Sequence, residues 1–209
     1  MNTSATGGYL VPISTHCEKN DSELADLLQS VVVGLTGLSG TLVRPRWQVD
    51  PPNIPDTITP DSNGNTITWA AIGVTDRVGD VLASSKHGDS PGEDAGLGQT
   101  TITMNEVLSV LVSFYGAAAE RNAQRMRLGF QVSQNREVLR QNGFGFVDCG
   151  DPKNVPELIN QRWLFRVDLP FRVRYQQKYD YAVLDIASVQ GTVQGQGLSI
   201  PLKVTLETE

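Results

Sequence analysis

Leu24, Leu27, Leu28, Val31, Val32 and Leu35 follow Asp21 and Ser22 at steps of three and four, which places all six on one stripe of a helix. The spacing predicts a helix over about 22–36. Asp21 or Ser22 supplies a capping oxygen at its start, and Gly37 can turn left-handed at its end. A one-sided stripe needs an apolar floor, and a sheet is the natural one. Period-two patterns supply that sheet. TITWAAIGV at 66–74 and TITMNEVLSVLVSFY at 101–115 have strand composition, the second alternating around Val107, Ser109, Leu111 and Ser113. The clearest run lies at 163–175, where Phe165, Val167, Leu169, Phe171, Val173 and Tyr175 alternate with Arg166, Asp168, Pro170, Arg172 and Arg174. Pro170 removes a ladder donor there, which favours an edge position or a bulge.

Between these runs the text is irregular. Residues 37–65 carry Pro51, Pro52, Pro55 and Pro60 around a strand-like island at Leu42–Val49, and read as an extended arm or surface loop. Residues 76–99 are rich in Gly, Asp and Ser and read as a loop or hairpin tip. The stretch 116–141 repeats Ala119, Ala123, Met126 and Phe130 at helical spacing, with Gly129 as a point of interruption and Gly143 as its end, before a return strand at FGFV. DPKNVPELIN at 151–160 reads as a turn with one helical turn, YAVLDIASVQGTV at 181–193 as a last core strand, and the tail alternates at Leu198, Ile200, Leu202, Val204 and Leu206. The order of elements predicts an α+β fold: a mostly antiparallel sheet with two helices packed on one face, long loops and an extended C-terminal tail. The organisation expected is one structural domain over 1–209. It comprises an N-terminal arm 1–21, a core 22–190 with extended loops at 37–65 and 76–99, and a strand or tail at 191–209.

Composition narrows the function classes. A chain of 209 residues is long enough to bury roughly 70% of its unfolded surface without staples. Charged residues are 19%, fewer than the ~25% usual for soluble domains, so some polar surface is expected to face another protein. The net charge of -6 argues against a broad nucleic-acid-binding face, which needs clustered Lys and Arg. Cys17 and Cys149 stand far apart without a CxxC or His companion, so neither a zinc site nor a disulfide framework is expected. The start lacks a basic and apolar leader and no run of ~18 apolar residues occurs, which predicts a soluble chain made in the cytoplasm.

Candidate chemistry is sparse. His87 lies among Ser84, Ser85 and Asp89, and His16 beside Cys17, but nucleophile and base are normally brought together from distant parts of a fold. GFG at 143–145 and GQG at 195–197 lack the third glycine and following helix of a nucleotide loop, and Asp89, Glu93 and Asp94 do not match a calcium loop. No catalytic, cofactor or metal site is expected. What remains is a set of basic and aromatic features: VRPRWQ at 43–48, the helical group Arg121, Arg125 and Arg127, and the polar face of the alternating run. Arg and Trp are enriched where proteins meet, so Arg44, Arg46, Trp47, Arg166, Arg172 and Arg174 are the candidate subunit or partner interface.

Five collinear segments carry a resemblance: LVRPRWQVDPPNIPD at 42–56, TWAAIGV at 68–74, SFYG at 113–116, QVSQNREVLRQNGFGFV at 131–147 and NVPELINQRWLFRVDLPFRVRY at 154–175. Together the chain from about 22 to 190 resembles the phage neck terminator family. The resemblance implies a non-enzymatic virion protein at the head-to-tail junction, with a helix-flanked sheet and copies closing into a ring, commonly of six. It further implies tail tube or sheath proteins on one side, head-completion or connector proteins on the other, and DNA passing through the lumen without specific binding. It carries over no catalytic residues and no membrane contact. The acidic 76–99 segment and the tail after Gln190 depart from the pattern. Alternative readings are a head-completion adaptor, a baseplate or tail-tube protein, and a monomeric binding module or a hydrolase using His87 or Cys149.

Overall fold

The computed structural model describes residues 6–16, 19–48, 53, 55–57, 59, 66–89, 97–159, 161–184, 188–195 and 198–205. Along them run β1 (Ser14–His16), α1 (Asp21–Thr36), β2 (Val43–Pro45), β3 (Trp69–Gly79), β4 (Ser84–Asp89) and β5 (Leu97–Tyr115). Next come α2 (Ala119–Gly129), α3 (Glu137–Gln141), β6 (Phe144–Cys149), β7 (Lys153–Asn154), β8 (Glu157–Ile159) and β9 (Arg162–Leu164). The chain ends with β10 (Arg166–Leu184), β11 (Ser188–Gly195) and β12 (Leu198–Thr205). This is the expected α+β class with a mostly antiparallel sheet. Two compact units are present, one formed by 17–81 and 105–176, the other by 1–16, 82–104 and 177–209.

The larger unit holds the apolar core. Its sheet runs β2–β3–β5–β10, with β6 and β7 on the far side of β10. The β2–β3 pair is parallel, and β3–β5, β6–β10 and β7–β10 are antiparallel. Alternation decides which face is covered. Leu108, Val110, Val112 and Phe114 of β5 and Val167, Leu169, Phe171, Val173 and Tyr175 of β10 are buried in one cluster with Leu24, Leu27, Leu28, Val31 and Val32 of α1 and Ala119, Ala123 and Met126 of α2. Phe130 stacks on Phe146 at 4.7 Å and Phe144 on Tyr175 at 4.9 Å, tying β6 to the same core.

The helical stripe produces α1, one residue longer than expected. Its cap is Asn20, not Asp21 or Ser22: the Asn20 side chain accepts from the Glu23 amide at 2.8 Å, and the Glu23 carboxylate accepts from the Asn20 amide at 3.0 Å. Asp21 instead faces Arg77 at 3.2 Å. Gly37 ends the helix at φ 77. The second helical region splits as its glycine suggested. A Cβ at Gly129 would lie 2.9 Å from Leu35 Cδ2, so α2 ends at a residue packed against the Leu35 side chain of α1, and a 3-10 turn, Ser133–Arg136, leads into the short α3.

Several expected boundaries move. Among the described residues of 37–65 the regular strand is β2, an outermost strand: Gln29 Nε2 donates to its Val43 carbonyl at 2.7 Å and to that of Gly40, in the turn before it, at 2.8 Å. Much of the 76–99 segment is strand, because β3 continues to Gly79 and β4 pairs with β5 from Ser84↔Thr103 to Asp89↔Gly98; residues 90–96 lie outside the described residues. Among the described residues of 151–160 no helical turn forms; the two short strands β7 and β8 follow Pro152 and Pro156 instead. Pro170 sits in an interior strand, at neither an edge nor a bulge: it lies between the stretch paired with β7 (Val167, Asp168) and the stretch paired with β6 from Phe171, its carbonyl accepts from Gly150 at 2.9 Å, and the register shift comes later, between Arg172 and Val173. The missing donor therefore falls where the ladder is already interrupted.

In the smaller unit, β1 pairs with β10 from Ser14↔Asp180 to His16↔Lys178 and β4 pairs with β5. The expected core strand at 181–193 is divided. Its first part ends β10 at Leu184, and its second belongs to β11, whose eight register partners all lie in β12.

Candidate functional site

The face of the larger unit's sheet opposite the helices gathers most of the expected interface residues. Val43 is buried in the core, so the alternation along β2 turns Arg44 and Arg46 to the other side, where Arg166 also lies. Trp69 and Tyr115 are direct register partners on β3 and β5, and their rings stack at 4.2 Å with 9° between planes. Arg44 lies 5.8 Å from the Trp69 ring centre and Arg166 5.8 Å from that of Tyr115, which makes a stack with a guanidinium at each end. Leu164 of β9 closes over this pair.

A hydrogen-bonded chain crosses the same face. Arg46 Nη2 donates to the fully buried Ser113 hydroxyl, which donates to Asp168 Oδ1. Arg166 then forks onto Asp168, Nε to Oδ1 at 2.8 Å and Nη2 to Oδ2 at 2.8 Å, and its third nitrogen meets Glu157. These bonds to Asp168 and Glu157 raise the Arg166 pKa above the ordinary guanidinium value, and burial raises that of the Tyr115 phenol. Farther along β10, Arg172 grips Asp148 through Nε at 2.9 Å and Nη2, which holds the Asp148 carboxyl below its usual value. Arg174 is exposed.

Trp47 stands apart from this network. Its backbone has φ 56, in a region a bulky residue rarely occupies, and its side chain is 71% exposed. The indole passes over β3 because residue 73 is glycine: a Cβ there would lie 2.9 Å from Trp47 Cζ3 and 3.1 Å from Arg46 Cβ. Beside it opens a cleft of about 530 Å³ lined by Asp21, Leu24, Arg46, Trp47, Asp76 and Arg77.

The sequence therefore locates the arginines and Trp47 but misses what they hold. Ser113, Trp69, Tyr115 and Glu157 are the unforeseen members. The available signal was one hydroxyl inside the apolar run VLVSFY, and a carboxylate two residues after Arg166 on the same strand face.

The titratable groups considered for catalysis are placed otherwise. In the smaller unit Asp180 accepts from Ser14 Oγ at 2.6 Å and Thr101 Oγ1 at 2.6 Å and meets His16 Nε2 at 3.1 Å. Its carboxyl is held well below the usual range, chiefly by the Ser14 hydroxyl and then by Thr101. Ser14 and His16 thus share one carboxylate, and the imidazole does not stand between hydroxyl and acid as a general base must. His87 Nδ1 bonds Thr100 Oγ1 at 2.8 Å on β4 and β5. Burial pushes the Cys149 thiol up to about 11, which suppresses the thiolate. Among the described residues no group of three His, Cys, Asp or Glu could hold a metal, and no helix is long and apolar enough to cross a membrane. Cys17, Glu93 and Asp94 lie outside the described residues.

A family model described as phage neck terminator protein matches residues 22–197. No curated protein matches the chain.

Proposed function

Since the chain belongs to the phage neck terminator family, a structural and non-enzymatic component of the virion neck, we propose that it works as a ring-forming subunit that closes the tail and joins it to head-completion proteins. Copies of the chain, six in the commonest arrangement, contact tail tube or sheath proteins on one side and connector proteins on the other. DNA passes through the lumen without sequence-specific contact. The subunit is made in the host cytoplasm and ends in the particle.

The observation that carries this reading is Trp47, a large apolar side chain left 71% exposed on a strained backbone beside an arginine-bearing sheet face. Strain of this kind persists only where surrounding structure imposes it, and an exposed Trp flanked by Arg is the composition of a protein contact centre. A ring requires a heterologous interface, in which one patch of each copy meets a different patch of the next. Arg44, Arg46, Trp47, Arg166, Arg172 and Arg174 supply one such patch, with Arg46 and Arg166 acting through the side chains they fix in place.

Electron microscopy of the neck in particles carrying a labelled chain tests the proposal. The expected result is a closed ring of label density at the head-to-tail junction. Tailed, joined particles that contain none of the chain overturn it.

A further inference from the structure

β2 pairs with β3 at Ala70, Ala71 and Ile72, whereas β5 accompanies β3 as far as Gly79. Past Ile72 the opposite margin of β3 meets no described strand. Ile72 turns its carbonyl to that margin, where it accepts from the Arg46 amide at 2.7 Å. Val74, two residues on, turns its amide and carbonyl the same way, and β2 has already ended at Pro45. A margin of this kind is a template for one more strand. The cleft beside Trp47 lies along it. Residues 72–77 line the cleft consecutively, a span of about 20 Å at ~3.3 Å per residue. Leu24, Ala25 and Leu28 of α1 form its wall on the core side, and Arg46 and Trp47 form the wall on the other face of the sheet.

We infer that this cleft takes an extended segment of a different virion protein of the neck, added to β3 as a strand in the row that β2 begins. The inference rests on the neck reading above and gives the form of one of its contacts. Main-chain bonds to β3 supply affinity in such an addition, and side chains on either face supply selection. Charge says what the segment carries. Arg46, whose stem crosses Gly73, donates to Ser113 and meets no carboxylate directly, and its buried Nε has no acceptor. Asp76, three residues farther along β3 than Gly73, is exposed and makes no ion pair among the described residues, while Arg77 beside it is held by Asp21 at 3.2 Å. The matching segment has a carboxylate at the Arg46 end and a Lys or Arg about three residues away at the Asp76 end. Between them a small apolar side chain fits against the half-buried Ala25 and Val74. Stretch 6–13 of a second copy carries no charged residue and lacks this pattern. β2 closes one end of the cleft and α1 and Trp47 wall its sides, so it admits one short strand and not a sheet.

The test uses the full-length chain, isolated and within purified particles. Hydrogen exchange read by mass spectrometry is expected to slow about tenfold or more in particles for the fast amides of 74–79, since the added strand receives them. A chain carrying Thr75→p-benzoylphenylalanine, illuminated in particles, is expected to link to a different virion protein, at a stretch with an acidic and a basic residue about three apart. Asp76→Lys is expected to leave melting unchanged and to cut incorporation into particles about fivefold, with recovery when the basic residue of the linked stretch is changed to Glu. Three results overturn the added strand: unchanged exchange at 74–79 in particles that hold the chain, a link from position 75 to a second copy or within the same copy, and Asp76→Lys incorporated as well as the native chain. Joined, tailed particles without the chain overturn the neck reading itself, so the two failures are told apart.

Discussion

Replacing Asp168 by Asn removes the one charge on which the sheet-face network converges while keeping its shape. Asp168 and Arg166 side chains are only 14% and 17% exposed, and the fork between them is bidentate at 2.8 Å in both arms. At an effective dielectric of about 20, a unit pair near this separation is worth about 4 kcal/mol. Removing one partner of a buried pair costs about 3–5 kcal/mol, because the other charge is stranded. Glu157 still meets Arg166 and compensates part of that loss. The amide oxygen keeps the Ser113 bond, but its nitrogen presents donors to a guanidinium that has none to accept with. The balance predicts a loss of about 2–3 kcal/mol, equivalent to a fall in melting temperature of about 5–10 °C for a chain of this size. Urea titration followed by far-UV circular dichroism measures it, and Trp fluorescence reports whether the Trp69–Tyr115 stack loosens first. A double-mutant cycle with Ser113→Ala isolates the shared term, since the two sites touch. A change below about 0.5 kcal/mol, the range of ordinary surface substitutions, refutes the claim that this network holds the face.

Leu28→Asp places a carboxylate where the side chain is fully enclosed in the core, and is expected to abolish the cooperative unfolding transition in calorimetry. Gly73→Ala drives a methyl into the Trp47 ring and the Arg46 stem; a cost of about 1–3 kcal/mol and a shifted Trp emission maximum are expected, with an unchanged spectrum counting against the packing described. Asp180 has a folded pKa below its unfolded value near ~3.9, so its contribution is fully present above that value and is lost as pH falls through the folded one. Asp180→Asn is therefore expected to lower stability at pH 7 and to flatten its decline below about pH 4, and parallel curves for the two proteins contradict this. Trp47→Ala leaves an exposed position without its indole; the prediction is a melting curve close to wild type with defective incorporation into particles, measured by gel quantitation of the purified neck.

The parts legible from the sequence are those governed by short periods. The stripe Leu24–Leu35 gives α1, and the alternation at 165–175 gives β10 and its buried face, because burial of each residue depends on its near neighbours. Strands of two or three residues such as β1, β7 and β8 carry too few positions to show a period, and they exist through pairing with β10 or with β9. The cap at Asn20 was displaced by one residue because Asp21, Ser22 and Asn20 are all capable caps, and only the backbone turn at Asn20, ψ 166, selects among them. Arg44, Arg46 and Trp47 were found by composition. Their environment was not, since the Arg46–Ser113–Asp168 links join residues 67 and 55 positions apart. Arg46 consequently reads as a brace inside the subunit as well as a surface arginine, which separates it from Trp47.

Gln29 has a bearing on how copies of this chain coexist. By reaching from α1 to the Val43 carbonyl of β2 and to the Gly40 carbonyl in the turn before it, it consumes an acceptor that a passing extended segment would otherwise use, and Pro45 in the same strand has no amide hydrogen to give. Runaway stacking of sheets end to end is thereby discouraged on that flank. Wherever many copies crowd together, their association is steered towards side-chain surfaces of finite extent, the kind of contact that can stop at a definite size.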